Sequence, residues 1–346
     1  MSHTTHPAAT GRPVAPREPS RRAIAFLEYV RPDLEAIEDR LNTELGSDVR
    51  SVYDLSRYVL HAGGKRLRPA MVALSARAVN ADPDAARIAT VGAAVELVHM
   101  ATLIHDDVVD NTATRRGKPT ANAVFGNGVA VLCGDYILAR AMRLLAVDGD
   151  LRVIRTVSDI TIEMSEGEVM EIAATGRSTL SLAEYLEILR KKTATFVEGC
   201  CRCGAILGNA EEPIESCLAQ YGYHLGMAFQ LADDLLDYIG DPHITGKPCG
   251  SDLREGRATM PFLLALDRAG RQEREQLIAA FGNPELPDQE FVAVRDILSR
   301  YGTFDQTRDT ARQHVEKASE ALCLLPPSMA RDCFSLLTEY VVERDR

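Results

Sequence analysis

After residue 22, apolar positions recur every three or four residues along nearly the whole chain, which is the period of an α-helix. Val30, Leu34, Ile37, Leu41 and Leu45 mark a first helix. Pro32 lies near its start, where a helix tolerates a missing N–H. The stretch "SVYDLSRYVLHAGG" predicts a second helix stopped by paired glycines, and a third is expected from about Pro69 to Val79. From Asp84 to about Asp110 the pattern changes to "AARIATVGAAVELVHMATLIHDDVVD", apolar almost all round. Such a helix belongs at the centre of a fold. Further helices are expected over roughly 128–147, 151–174, 181–208 and 212–239, then shorter ones to the C-terminus with a break at "LLPPS". Alternating strand patterns with hairpin turns are missing, as is any repeat of 20–50 residues. The expected architecture is all-α: one large domain of long antiparallel helices over residues 23–346.

Composition narrows the partners. The chain has 346 residues, 46% of them apolar, and a formal net charge of −11. That balance argues against a nucleic-acid partner. An anionic ligand then requires local basic clusters or metal ions. No apolar run reads as a membrane span. The proline-rich residues 1–22 lack the apolar stretch of a signal peptide and read as a disordered tail, so a cytoplasmic location is expected. The eight cysteines show no even spacing and are expected to be reduced. "GCCRCG" brings Cys200, Cys201 and Cys203 together, but no second Cys or His pair follows at zinc-site spacing. Small residues on a packed helix face are the better reading.

Two stretches carry the chemistry: "HDDVVDN" with Asp106, Asp107 and Asp110, and "ADDLLDY" with Asp233, Asp234 and Asp237. On a helix the first and third aspartates of each lie one turn apart on one face. A single acidic run is usually a solvated surface. Here both runs end apolar helices, where clustered carboxylates are costly unless neutralised. Two such triads facing each other across a cleft would suit hard divalent cations. Mg²⁺ takes a few carboxylates and completes its shell with water and phosphate oxygens, so a phosphorylated substrate is implied.

Basic clusters fit that picture. "GGKRLRP" places Lys65, Arg66 and Arg68 on a glycine-loosened loop at a helix start, a favourable place for an anion. "TRRGKPT" follows the first triad and offers Arg115, Arg116 and Lys118. Lys192, Lys247 and Arg257 lie further along. Together they suggest two anion sites, one bridged by metal and one read directly by Lys and Arg.

"GGKRLRP", "LIHDDVVDNTATRRGKPT" and "FQLADDLLDY…GKPCGSDLREGRATMP" closely resemble the trans-prenyl diphosphate synthases, most of all the long-chain members, over about residue 25 to the C-terminus. The resemblance implies an all-α homodimer around a central hydrophobic cavity. It also implies repeated 1′–4 condensation of isopentenyl diphosphate with an allylic diphosphate. By position, Asp106, Asp107, Asp110, Asp233 and Asp237 would bind Mg²⁺, three ions per site with Mn²⁺ able to substitute, and Asp234 would act behind them or through water. Arg115, Lys192 and Lys247 would hold the allylic diphosphate, and Arg257 would also bind substrate. Lys65, Arg68, His99 and Arg116 would hold isopentenyl diphosphate, and Thr193 and Gln230 would line the reacting carbons. Arg257 stands where the family usually has Lys, and Glu171 where long-chain members often have Gln. The alternatives are a farnesyl or geranylgeranyl diphosphate synthase, a terpene cyclase, or a non-catalytic subunit of a heteromeric synthase. A cyclase would lack the second aspartate triad and "GGKRLRP", and a silent subunit would tend to lose aspartates.

Product length is expected to depend on Val98, Ala101 and Thr102, which precede Asp106 on its helix; the family's short-chain members place aromatic plugs at the latter two positions. The small side chains here imply an open shaft and a long product, with Leu138 and Met142 of the next helix as a candidate floor, although core packing explains Met142 as well. A product of that length would be handed to a membrane.

Overall fold

The computed structural model describes residues 26–115, 117–240 and 249–343. The expected tail over 1–22, Arg116 and Lys247 lie outside the described residues. The described chain is built almost wholly of helices, in the order α1 (Arg31–Glu44), α2 (Arg50–His61), α3 (Leu67–Val79), α4 (Ala85–Val109), α5 (Ala121–Phe125), α6 (Asn127–Asp148), α7 (Leu151–Ala174), α8 (Leu182–Leu189), α9 (Thr195–Leu207) and α10 (Glu212–Ile239). The C-terminal part adds α11 (Ser251–Glu255), α12 (Met260–Arg268), α13 (Arg271–Ala280), α14 (Asp288–Arg300), α15 (Thr303–Ala321) and α16 (Met329–Glu343). A two-residue hairpin, β1 (Thr114–Arg115) antiparallel to β2 (Lys118–Pro119), follows α4. It is too short to leave an alternating pattern in the sequence.

Local chemistry sets several helix starts. The Asp84 side chain accepts hydrogen bonds from the Ala86 and Arg87 amides, and Asp150 accepts from the Arg152 amide. Ser181 and Glu184 form a reciprocal capping box. These caps begin α4, α7 and α8, the three helices that deliver much of the site described below.

Helix α4 is the centre. It packs on α1, α3 and α6, while α9 packs on α3, α7 and α10, and α10 on α15. By length and composition α4 would suffice to cross a membrane, contrary to the expectation that no segment would. Its most apolar window is 67% buried inside the protein, so its apolar surface serves the core. Cys200, Cys201 and Cys203 are buried on α9 and burial pushes their thiols up, while all eight cysteines are free thiols.

Two apolar cores meet beside the end of α4. One holds Val98, Ala101, Phe196 and Ala228; the other holds Tyr185, Ala194, Met227 and Leu231. At this seam the chain between α8 and α9 runs as one π-helical turn, Arg190–Ala194. Such insertions re-aim side chains and favour functional sites. Glycines make room for it. A Cβ on Gly167 of α7 would lie 2.7 Å from the Lys192 nitrogen, and one on Gly226 of α10 would lie 2.7 Å from the Ala194 Cα.

Helices α6 and α7 also expose apolar side chains, including Leu132, Val147, Leu151, Ile162, Val169 and Ile172. Leu151, Ile162 and Val169 are spaced eleven and seven residues apart, which lines them along one face of α7.

The backbone contact at Gly167 cannot be relieved by rotating a side chain. Gly167→Ala should therefore lower unfolding stability by about 1–3 kcal/mol, seen as a reduced urea midpoint. An unchanged midpoint would mean that α7 and the π-turn do not meet as closely as described.

Candidate active site

Helix α4 ends on the first aspartate run, with Asp110 as its C-cap. Burial pushes the Asp106 carboxyl up to about 7, helped by the nearby Glu168 charge and opposed by Lys192 and Arg115. Asp107 is buried and its carboxyl is also raised by burial, against the pull of Arg115. The hairpin after α4 turns the Arg115 guanidinium back onto Asp107 at 2.9 Å. Its anchors include the Asn122 side chain, which donates to the Asp107 carbonyl at 3.1 Å, and Tyr58, whose hydroxyl donates to the Pro119 carbonyl at 2.6 Å. Arg257 approaches from the other side and donates to Asp110 at 3.2 Å.

The second run lies near the end of α10. Asp234 is buried, accepting from the Tyr185 hydroxyl at 2.6 Å and from the Gln230 amide at 2.8 Å. Burial still raises its carboxyl. The Gln230 carbonyl in turn accepts from Thr193 at 3.1 Å, so Thr193, Gln230, Asp234 and Tyr185 form one hydrogen-bonded row. Asp233 is exposed. Both Asp237 oxygens accept backbone amides, from Ser251 and Asp252, at 3.1 Å each, tying α10 to the start of α11.

Lys192 joins the two runs. The π-turn aims its ammonium at Glu168, 2.8 Å away, and at Glu171, with which it is also hydrogen-bonded. Burial alone would lower Lys192, but the Glu171 and Glu168 charges together raise it. Glu168 acts on Asp106 of the first run, and Glu171 acts on Asp234 of the second and on Arg257. The two aspartate runs therefore share one electrostatic environment. Among the described residues no group of three or more His, Cys, Asp and Glu side chains converges as a metal cage. The available donors are hard carboxylate oxygens, those of Asp106, Asp107 and Asp234 on carboxyls lifted by burial, and these fit a hard divalent ion that draws the rest of its shell from water and phosphate.

The basic loop lies at the start of α3. Lys65 donates to the Tyr340 hydroxyl of α16 at 2.9 Å. Arg68 meets the His99 ring nitrogen at 3.1 Å and stacks over Phe196 at 4.7 Å. The Arg66 guanidinium reaches Glu38 at 2.5 Å, Glu96 at 2.6 Å and the Leu60 carbonyl at 3.2 Å, so in this structure it ties the scaffold together. Of the chain-length candidates, Val98 and Ala101 are fully buried and Thr102 is half-buried on α4, its hydroxyl donating to the His99 carbonyl at 2.9 Å. Leu138 and Met142 are partly buried against the same core.

Sequence reasoning missed Glu168 and Tyr185. Glu168 and Glu171 stand one turn apart in "GEVMEI", a spacing that puts them on one face, so the signal was present. Tyr185 occupies an apolar position in "LAEYLEIL" and reads as core; its partner lies 49 residues away.

Comparison with known proteins identifies the family. Residues 49–298 match the family model described as polyprenyl synthetase. The octaprenyl diphosphate synthase of Escherichia coli strain K12 is 36% identical over 319 residues, covering 92% of this chain and 98% of its own. A decaprenyl diphosphate synthase from Rhodobacter capsulatus superposes with a TM-score of 0.88 at 34% identity, covering 94% of this chain and 99% of its own. A polyprenyl synthase from Caulobacter crescentus CB15, crystallised with calcium and isoprenyl diphosphate, superposes with a TM-score of 0.87 at 35% identity, covering 96% and 99%. With the motifs, the all-α fold and these matches in agreement, the chain belongs to the polyprenyl synthetase family and is a prenyltransferase of the long-chain polyprenyl diphosphate synthase type.

Proposed function

We propose that this site condenses isopentenyl diphosphate with an allylic diphosphate, repeatedly, between the two aspartate runs. The observation that supports this most directly is the shared environment of Asp106 and Asp234 through Glu168, Lys192 and Glu171. Asp106, Asp107, Asp110 and Asp233, with Asp237, are the carboxylates to hold Mg²⁺, and Asp234 orients Gln230 behind them. When bound, the metal neutralises the diphosphate as it departs. A calcium and isoprenyl diphosphate complex of the Caulobacter crescentus relative supports a divalent ion here.

The chain's own residues then have distinct tasks. Arg115, Lys192 and Arg257, now paired with carboxylates, release them to hold the allylic diphosphate, with Lys247 as a further cation. Breaking the allylic C–O bond leaves a resonance-stabilised carbocation and a diphosphate whose charge these cations stabilise. The Thr193 hydroxyl and the Gln230 carbonyl place oxygen dipoles beside the cation. Lys65, Arg68, His99 and Arg116 hold isopentenyl diphosphate so that its double bond attacks. The released diphosphate takes the proton. The apolar core around α4, in which Val98 and Ala101 are packed, keeps water from the cation.

The exposed apolar residues on α6, and those at helical spacing along one face of α7, support a homodimer.

Purified protein given Mg²⁺, an allylic primer and radiolabelled isopentenyl diphosphate should form polyprenyl diphosphate, and EDTA should abolish it. Asp106→Asn should cut turnover by about 10²–10³-fold. Full turnover in EDTA would sink the metal assignment. Ala101→Phe should shorten the product on reversed-phase chromatography; an unchanged length would refute the shaft. A pH dependence is also expected. The raised Asp106 carboxyl contributes stability that is full below its ordinary range and lost as pH rises through about 7. A cation favours the ionised form, so the melting-temperature gain from Mg²⁺ with inorganic diphosphate should grow from pH 6 to pH 8. A gain that shrinks with rising pH would contradict the assignment.

A further inference from the structure

Arg66 has a backbone φ of +48°, in the left-handed region, and it is the N-cap of α3. A non-glycine residue holds that conformation only where its surroundings over-determine it. Here they do so through the side chain. The Arg66 side chain is 12% exposed and the Glu96 side chain 5% exposed. Contacts to Glu38 of α1, Glu96 of α4 and the Leu60 carbonyl of α2 fix it from three helices.

The partners on α4 form a series. Glu96 and His99 lie one turn apart on one face, holding Arg66 and Arg68 in parallel. The same helix reaches Asp106 ten residues beyond Glu96, about 15 Å along the axis. The basic loop and the first aspartate run are therefore mounted on one rigid element.

We propose that Arg66 is a positioning residue: its bridge to Glu96 locks the left-handed turn that presents Lys65 and Arg68 to isopentenyl diphosphate, and sets that site's distance from the allylic diphosphate. The proposal rests on the synthase reading above and assigns a task to a cation that does not itself touch substrate. With the bridge weakened, the loop from Gly63 to Arg66 relaxes, and Lys65 and Arg68 lose their alignment while the metal carboxylates keep theirs.

The test is steady-state kinetics on the full chain, varying isopentenyl diphosphate at saturating farnesyl diphosphate and then the reverse, with melting temperatures alongside. Glu96→Gln should raise KM for isopentenyl diphosphate about tenfold, leaving kcat and KM for farnesyl diphosphate within about twofold. Arg66→Met combined with Glu96→Leu replaces the ion pair by an apolar pair, which typically preserves stability. This double variant should melt near the wild type yet keep the raised KM. Equal rises in both KM values, no change in either, or a double variant that regains wild-type KM together with its melting temperature would each overturn the proposal. Wild-type protein that makes no polyprenyl product would overturn the synthase reading itself, and this proposal with it.

Discussion

Ionic charge at the end of a buried helix is the constraint on which this structure depends. Helix α4 is apolar nearly all round and finishes on three aspartates, two of which carry carboxyls raised by burial. Helix α10 does much the same with Asp234. Carboxylates in such places need positive charge or hydrogen-bond donors beside them. Arg115 and Arg257 pair with the first run and Lys192 with the neighbouring Glu168, while Tyr185 and Gln230 donate to Asp234. A fold built only for stability would place apolar side chains here, so the arrangement is one that a charged ligand completes.

Delivering Lys192 to that position takes a departure from ideal helix. The extra residue in the Arg190–Ala194 turn rotates the lysine toward Glu168 and Glu171, and Gly167 and Gly226 let the flanking helices close on the widened backbone. Thr193, the next residue, meets Gln230 and through it Asp234. One irregular turn thus fixes a cation for one aspartate run and a hydroxyl for the other.

Much of this was legible in the sequence. Periodicity located the long helices to within a few residues, because each carries many apolar positions and several have strong caps. The aspartate runs stood out because acidic clusters ending apolar segments conflict with burial. The π-turn was not legible: "RKKTA" continues the helical pattern, and the insertion is stabilised by glycines on two other helices. Tyr185 was invisible for a similar reason, since its role depends on a residue distant in the chain. The ties of Arg66 were not legible because neighbouring basic residues look alike in sequence, whereas its left-handed backbone accompanies a side chain directed to Glu38 and Glu96. The hairpin bearing Arg115 is too short for any pattern to reveal.

The ion pairs Arg115–Asp107 and Arg257–Asp110 have a thermodynamic consequence. Under the proposed function, a metal arriving alone would compete with an arginine for its aspartate, and a diphosphate arriving alone would draw that arginine from a carboxylate left without a cation. Arriving together, each ligand would accept the partner that the other sets free. The two affinities would thereby be linked, and by reciprocity the metal would tighten the diphosphate by the same factor as the diphosphate tightens the metal.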